Sequence, residues 1–374
     1  MSTYRVVQWS TGNVGRYALA GIDAHPELAL AGVWVSSAAK AGVDAGKLAG
    51  LNSELGVLAT NDGDALLASQ PDCVVYTAIS DNRLPEALVD LERILRAGVN
   101  VVASGPVFLQ YPEGTVPDSI LTLLQQACAD GGSSLWVNGI DPGFANDWLP
   151  LVLSGTCREI EKIHCLEIVD YATYNNATVL FDIMGFGKPM SEIPMLLQPG
   201  VLSLAWGSVV RQLAAGLDVQ LDEVTETYER EGAPESFDIA AGRIEQGSAA
   251  ALRFEVRGMV GDAEVFVLEH VTRLRSDLAP HWRQPVGPEG NYRIEITGKP
   301  SYTLDLVSHS RTGVHNDATL NATAMRLVNA IPAVVDAPPG LLTALDLPLI
   351  TGRGMVRPAV GRTASTTNSA GQGL

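Results

Sequence analysis

Positive charge is scarce in this 374-residue sequence: 25 Lys and Arg stand against 42 Asp and Glu, a formal net charge of −17. A surface that negative repels phosphate backbones and anionic headgroups, so neither nucleic-acid nor membrane-surface binding is expected. Cysteine is scarce too. Cys73, Cys128, Cys157 and Cys165 form no CxxC pair and lie in apolar segments, so neither a disulfide framework nor a zinc site is legible. His309 and His315 lack ligand spacing, and no metal requirement is expected. No apolar run reaches about 18 residues, the length a membrane span needs. The opening MSTYRVVQW enters strand-like sequence without a charged and then apolar leader, which makes a cytoplasmic location the expectation. Neither G-x-S-x-G nor G-x-x-x-x-G-K-[ST] occurs, leaving hydrolase and P-loop readings unsupported.

What is present is an ordinary globular composition, 46% hydrophobic and 18% charged, in a chain long enough for two domains. From Tyr4 to about Gly143 short apolar runs alternate with helix-length amphipathic stretches, the rhythm of a parallel sheet covered on both faces. Strands are predicted at Tyr4–Trp9, Ala29–Val35, Cys73–Thr77, Val99–Ala103 and Ser134–Asn138, and helices at Asn13–Ala24, Pro85–Ala97 and Pro117–Ala129. After Ile160 the pattern changes to longer strand-like runs, Ala251–Val260, Val265–Leu274 and Tyr292–Thr297, beside a proline-interrupted helical region, Ser191–Gly216. The acidic stretch Asp218–Glu235 reads as a solvated edge or loop. Asp317–Val335 returns to helical spacing, with Asp317 a plausible N-cap.

The fold class is therefore α/β: a Rossmann-type doubly wound parallel sheet, plus a second α+β domain on a mostly antiparallel sheet. The expected division is 1–145 with about 317–358 for nucleotide binding, 146–316 for substrate and dimerisation, and a disordered tail over 359–374.

One segment carries specific chemistry. Val6 to Arg16 holds a strand, a tight turn and a helix start, with Ser10, Gly12 and Gly15 in the three slots of G-x-G-x-x-G. Gly12 lets the backbone approach a pyrophosphate, Gly15 lets the helix pack on the strand, and the helix start offers unpaired N–H groups. Ser10, Thr11, Gly12, Asn13, Val14, Gly15 and Arg16 are thus cofactor-binding candidates, with Thr77 and Ala78 after the third strand. The slot after the second strand, where a carboxylate would hold the ribose of NAD, contains Ser36, Ser37 and Lys40, and no carboxylate precedes Asp44. Two hydroxyls and an ammonium suit a 2′-phosphate, so NADP(H) is expected over NAD(H).

Together with Val43-Asp-Ala-Gly46, Gly139-Ile-Asp-Pro-Gly-Phe144, Gly185-Phe-Gly187 and Asn329-Ala-Ile-Pro332, this loop resembles the dihydrodipicolinate reductase-like oxidoreductases over roughly Tyr4–Arg353. That group includes the 2,4-diaminopentanoate dehydrogenases and native amine dehydrogenases. The resemblance implies a homodimer that transfers hydride to or from a C=N or C=O carbon of a small, fairly apolar substrate. The lysine-pathway reaction is not expected, because Ser154-Gly-Thr156 lacks the preceding His-His-Lys pattern. The resemblance also implies a catalytic Glu within Ser104–Pro112, where this chain has Phe108, or Val107 with a one-residue slip. A phenyl ring moves no proton. Glu167, Asp170, Tyr171 and Tyr174 are the candidate replacements, and Phe108, Asn138, Asp141 and Asn146 the candidate pocket residues. His164 lies on the same segment, His270 reads equally as a satisfied interior histidine, and Asp141 reads equally as the N-cap of a helix with Pro142 near its first position. Two alternatives stay open: an amine dehydrogenase with a relocated base, and a non-catalytic NADP-binding sensor.

Overall fold

The computed structural model describes residues 3–311 and 313–358; the tail expected to be disordered, 359–374, lies outside them. The first half runs β1 (Tyr4–Trp9), α1 (Asn13–Ala24), β2 (Leu28–Trp34), α2 (Ala45–Ala49), α3 (Gly63–Ala68), β3 (Cys73–Tyr76), α4 (Leu84–Arg96), β4 (Asn100–Ala103), α5 (Asp118–Gly131) and β5 (Ser134–Val137). Next come α6 (Trp148–Ser154), β6 (Glu159–Asp170), α7 (Val201–Ala205), α8 (Gly207–Gly216), β7 (Glu223–Gly232), β8 (Phe237–Ile239), β9 (Gly242–Ile244), β10 (Ala249–Val260), β11 (Ala263–Arg273), β12 (Gly290–Lys299) and β13 (Tyr302–Leu306). The chain then returns through α9 (His315–Val335) and β14 (Gly340–Leu342) to the first sheet.

That sheet is parallel throughout, in the order β14-β5-β4-β3-β1-β2. Its strands are apolar on both faces because helices cover both. Val6, Val75 and Trp136 pack with Ile22, Leu327 and Ile331, while Val7, Val74 and Val101 pack with Leu91, Ile94 and Leu124. From β1 the chain moves one way to β2 and the other way to β3, which opens a crevice beyond the carboxyl ends of β1 and β3.

The second sheet has the order β13-β12-β6-β11-β10-β7, antiparallel except for the β6–β11 pair. One face carries the second core, where Ile163, Cys165, Phe254 and Leu268 meet Val209, Val210 and Leu213 of α8. Pro194 and Pro199 break the helical stretch as expected, leaving a 3-10 turn at Met195–Leu197 before α7 and α8. The acidic stretch is mostly an edge strand, β7. No helix among the described residues is long and apolar enough to cross a membrane.

Two boundaries differ from expectation. Asp317 is not the cap of α9: the helix starts at His315, whose N–H donates to Glu289 Oε2 at 2.7 Å, so a carboxylate from another segment satisfies the helix start two residues earlier. Nor does a helix begin near Pro142. Gly139 to Asn146 folds into tight turns closed by Phe144 N–H on the Gly139 carbonyl and Gly143 N–H on Asn146 Oδ1. Asp147 then caps α6 by accepting from Trp148 N–H. Asp141 is thereby released from helix capping.

Candidate active site

The phosphate-loop segment forms the crevice at the end of β1. Ser10 has φ +78°, the left-handed conformation for which a glycine usually stands in the first slot of such loops. A Cβ on Gly12 would meet nothing within 4 Å, so open space lies where a pyrophosphate would run. On Gly15 a Cβ would lie 2.4 Å from the Ser10 carbonyl and 2.8 Å from Thr77 Oγ1, so that position is closed by packing. Ser10, Gly12, Asn13, Val14, Thr77 and Ala78 line a cleft of about 420 Å³ that α9 completes through Asn316, Thr319, Leu320 and Thr323. The residues fit a dinucleotide: a backbone cradle, a helix N-terminus, and open space beside Gly12.

Other predicted cofactor residues lie beside the cleft. Lys40 Nζ donates to the carbonyl and Oγ1 of Thr11, at 3.2 and 3.1 Å, and Ser36 and Ser37 are exposed beyond β2. Asp44 is spent elsewhere: its carboxylate accepts from the N–H groups of Gly46, Leu55 and Gly56, and the Leu55 bond leads in holding its pKa low. Arg16 turns away from the loop, its guanidinium 3.3 Å from Asp317 Oδ1 and over the Tyr17 ring.

A second cavity of about 460 Å³ continues from the cleft and shares Asp81, Val107, Asp141, Glu167, Tyr171 and Tyr174 with it. Its walls are mostly apolar, with Phe108, Ile183, Met184, Leu196, Val201, Leu204 and Phe254 among them. Phe108 is buried in a 3-10 turn, Val107–Gln110, directly after β4.

The polar end of this cavity is one cluster. Tyr292, Glu167, His270 and Phe254 stand in register across β12, β6, β11 and β10, so three of the neighbouring strands place Glu167 between Tyr292 and His270. Asp141 reaches the same point from the turn after β5 in the other sheet. His270 Nδ1 lies 3.1 Å from Glu167 Oε2, and its Nε2 lies 3.3 Å from Asp141 Oδ1. Trp206 Nε1 donates to Asp141 Oδ1 at 3.1 Å, and Tyr171 donates its hydroxyl to Glu167 Oε2 at 3.4 Å. The imidazole is stacked on Phe254 and met edge-on by Trp206, with ring centroids 4.6 and 4.7 Å away.

Burial alone would lower the pKa of His270, but Asp141 and Glu167 outweigh it and hold the ring up to about 10. The imidazolium thus sits between two carboxylates at the polar end of a mostly apolar cavity that Asp81 also lines. Burial, followed by the charge of Glu167, pushes the hydroxyls of Tyr171 and Tyr292 well above their usual range, so both remain proton donors. Asp141, Glu167 and His270 also have the composition of a metal-ligand set. In this arrangement both imidazole nitrogens are turned to the carboxylates, which is the geometry of shared protons.

Of the predicted site residues, Phe108, Asp141, Glu167, Tyr171 and Tyr174 come together around the cavity. Asn138, Asn146 and Asp170 do not. Asn138 bonds Asp147 and Arg326, Asn146 accepts from Gly143 N–H, and Asp170 accepts from Ala172 N–H. His270, Trp206, Phe254 and Tyr292 were not among the predicted site residues, because register between strands about a hundred positions apart leaves no local signal.

A family profile for the 2,4-diaminopentanoate dehydrogenase C-terminal domain matches residues 144–358. The chain is similar to an amine dehydrogenase of Streptomyces virginiae, 42% identical over 359 residues that cover 95% of this chain and 97% of that one. It is also similar to the 2,4-diaminopentanoate dehydrogenase of Acetoanaerobium sticklandii, 21% identical over 289 residues, 76% of each chain. Among solved structures, the amine dehydrogenase of Mycobacterium smegmatis shares the fold with a TM-score of 0.77 at 22% identity, covering 94% of this chain and 97% of that one.

Proposed function

The chain belongs to the family of 2,4-diaminopentanoate dehydrogenases and amine dehydrogenases, NAD(P)-dependent oxidoreductases that act on amines, and from that premise we propose that it interconverts a primary amine without a carboxylate and the matching imine or carbonyl compound. The observation that carries this reading is the charge of the substrate cavity. Among its described lining residues there is no Lys or Arg, and its one imidazole lies between two carboxylates. A substrate carboxylate would be buried there without a counter-charge, whereas an ammonium or iminium is attracted. The apolar walls select a hydrophobic remainder.

When bound, the nicotinamide supplies the acceptor or donor of hydride. The chain's part is placement. Gly12 and the start of α1 hold the phosphates, Thr77 and Ala78 flank the cleft, and Phe108, Trp206 and Phe254 keep water from the reacting carbon. We assign nucleotide binding to 1–145 with 317–358 and substrate binding to 146–316, in a cytoplasmic homodimer that needs no metal.

NADP(H) is the preferred cofactor, since Lys40 sits beside Thr11 and Asp44 is committed to three backbone donors. The test is a fluorescence titration with NADPH and NADH, then turnover of a panel of alkylamines and of ketones with ammonium. Tighter NADPH binding is expected, and Lys40→Ala should weaken NADPH about tenfold while leaving NADH nearly unchanged. Tighter NADH binding overturns the preference. NADPH binding without turnover of any panel member overturns the enzymatic reading and favours a nucleotide sensor. Activity that survives exhaustive chelation is expected; loss restored by one divalent ion refutes the metal-free reading.

A further inference from the structure

After β4, where the resemblance implies a carboxylate, this chain has Phe108, or Val107 with a one-residue slip, and neither side chain moves a proton. Four observations converge on one place. Asp141 and Glu167 line both the substrate cavity and the nucleotide cleft, so they stand where substrate nitrogen and nicotinamide must meet. His270 joins them through its two nitrogens, which gives a continuous path for a proton between the carboxylates. Asp141 uses Oδ1 for both Trp206 and His270, while Oδ2 has no hydrogen-bond partner among the described residues. Trp206 and Phe254 fix the ring plane from two sides.

Resting on the reading above, we propose that Asp141 is the acid–base residue at the substrate nitrogen, that His270 carries the proton from it to Glu167, and that Trp206 is a positioning residue for Asp141.

Amine oxidation begins at the substrate nitrogen. Asp141 Oδ2 takes a proton from the substrate ammonium, freeing the nitrogen lone pair. The C–H bond breaks, its electron pair leaving as hydride to the nicotinamide, and the lone pair forms the C=N bond of an iminium. The relay runs from the neutral ring, its proton on Nδ1 and Nε2 free: the proton on Asp141 moves to His270 Nε2 as the Nδ1 proton moves to Glu167, which restores Asp141 as a base. Water then adds to the iminium carbon and loses a proton to Asp141. That proton is returned to the nitrogen, which leaves as ammonia, and the carbinol O–H proton passes by way of Asp141 to the ammonia, giving ammonium as the oxygen becomes C=O. The net reaction consumes the alkylammonium substrate, oxidised cofactor and water, and yields carbonyl compound, ammonium ion, reduced cofactor and one proton. Reductive amination is the reverse.

The charged and titratable groups facing His270 are Asp141 from the turn after β5 and Glu167 from β6, with Tyr171 and Tyr292 beyond Glu167. Its other neighbours, Trp206 and Phe254, do not titrate. Removing the charge of Glu167 should therefore move the limb of the pH–rate profile set by His270 to lower pH.

The experiment uses the full chain with 2-aminohexane and NADP⁺ at several pH values, beside NADPH titration of every variant. Asp141→Ala should lower kcat by about 100-fold or more, with NADPH affinity unchanged within about twofold, and sodium formate should restore a substantial part of the loss. Glu167→Gln should lower kcat about tenfold and shift the profile as stated. Trp206→Phe should lower kcat less than Asp141→Ala, without rescue by formate. Wild-type turnover that survives Asp141→Ala overturns this inference alone, as does a loss that formate cannot rescue in a variant that still binds NADPH. A wild type that binds NADPH yet turns over neither 2-aminohexane nor any other amine overturns the preceding reading and this one with it.

Discussion

Gly12 and Gly15 occupy the same loop for opposite reasons, and that contrast can be measured. Gly12 has φ −78° and open space around a prospective Cβ, so Gly12→Val fits the folded chain but fills the phosphate path. NADPH affinity should fall by about 30-fold or more while the melting temperature stays within about 2 °C of wild type. Gly15→Ala instead drives a Cβ against the Ser10 carbonyl at 2.4 Å. Overpacking of that kind costs about 1–3 kcal/mol, and chemical denaturation should show it even without cofactor. Equal stability losses at both positions would contradict the distinction. The loop was legible in the sequence because its function is local: strand, turn and helix start lie within eleven residues. The acid–base cluster was only half legible. Asp141, Glu167 and Tyr171 could be suspected singly, but His270 looked like any interior histidine until β11 was placed beside β6.

At the scale of elements, the strands of the first sheet could be read because burial on both faces leaves continuous apolar runs such as Val99–Ala103. Helix starts were harder, since a cap can come from anywhere in the chain, as Glu289 does for α9. The second sheet hides another long-range device on the face opposite the cavity. Glu269 of β11 accepts from Arg253 Nε of β10 at 2.7 Å and lies 3.0 Å from His164 Nε2 of β6. Burial alone would raise its pKa, but His164 and Arg253 outweigh burial and hold it at about 2, against an ordinary 4.5. A carboxylate depressed in the folded state contributes stability that is complete above the unfolded pKa and lost as pH falls through the folded one. The window here is therefore about pH 4.5 down to about 2, and the shift corresponds to about 3 kcal/mol. Glu269→Gln should be less stable than wild type by that order at pH 7, and the difference should shrink progressively below pH 4.5 in urea unfolding. A pH-independent difference would show that packing, not charge, sets the effect.

Across the whole molecule, the two sheets are joined behind the cavity by a polar hub rather than by apolar packing alone. The fully buried Asp147 Oδ2 accepts from Gln110 Nε2, Asn138 Nδ2 and Gln212 Nε2 at 3.2, 2.9 and 3.1 Å. Gln110 and Asn138 follow strands of the first sheet, and Gln212 lies on α8, which packs on the second. Arg326 of α9 extends the hub by donating to Asn138 Oδ1 at 3.0 Å, its guanidinium lying over Trp136 and Phe144. Burial pushes the Asp147 carboxyl up despite Arg326 and the amide donors, so the network is held by its hydrogen bonds against the cost of desolvation. Removing the acceptor orphans three amide donors and weakens the compensation for a buried guanidinium at once. Asp147→Ala should therefore cost about 3–5 kcal/mol. It should also change the form of unfolding. Wild type is expected to unfold in a single transition, because neither sheet can leave without breaking the hub, while the variant should separate into two transitions, the NADPH-protected one being the first sheet. Urea unfolding followed by tryptophan fluorescence, with and without NADPH, distinguishes the outcomes. A single transition displaced by less than about 1 kcal/mol would mean that apolar contacts hold the sheets together without Asp147.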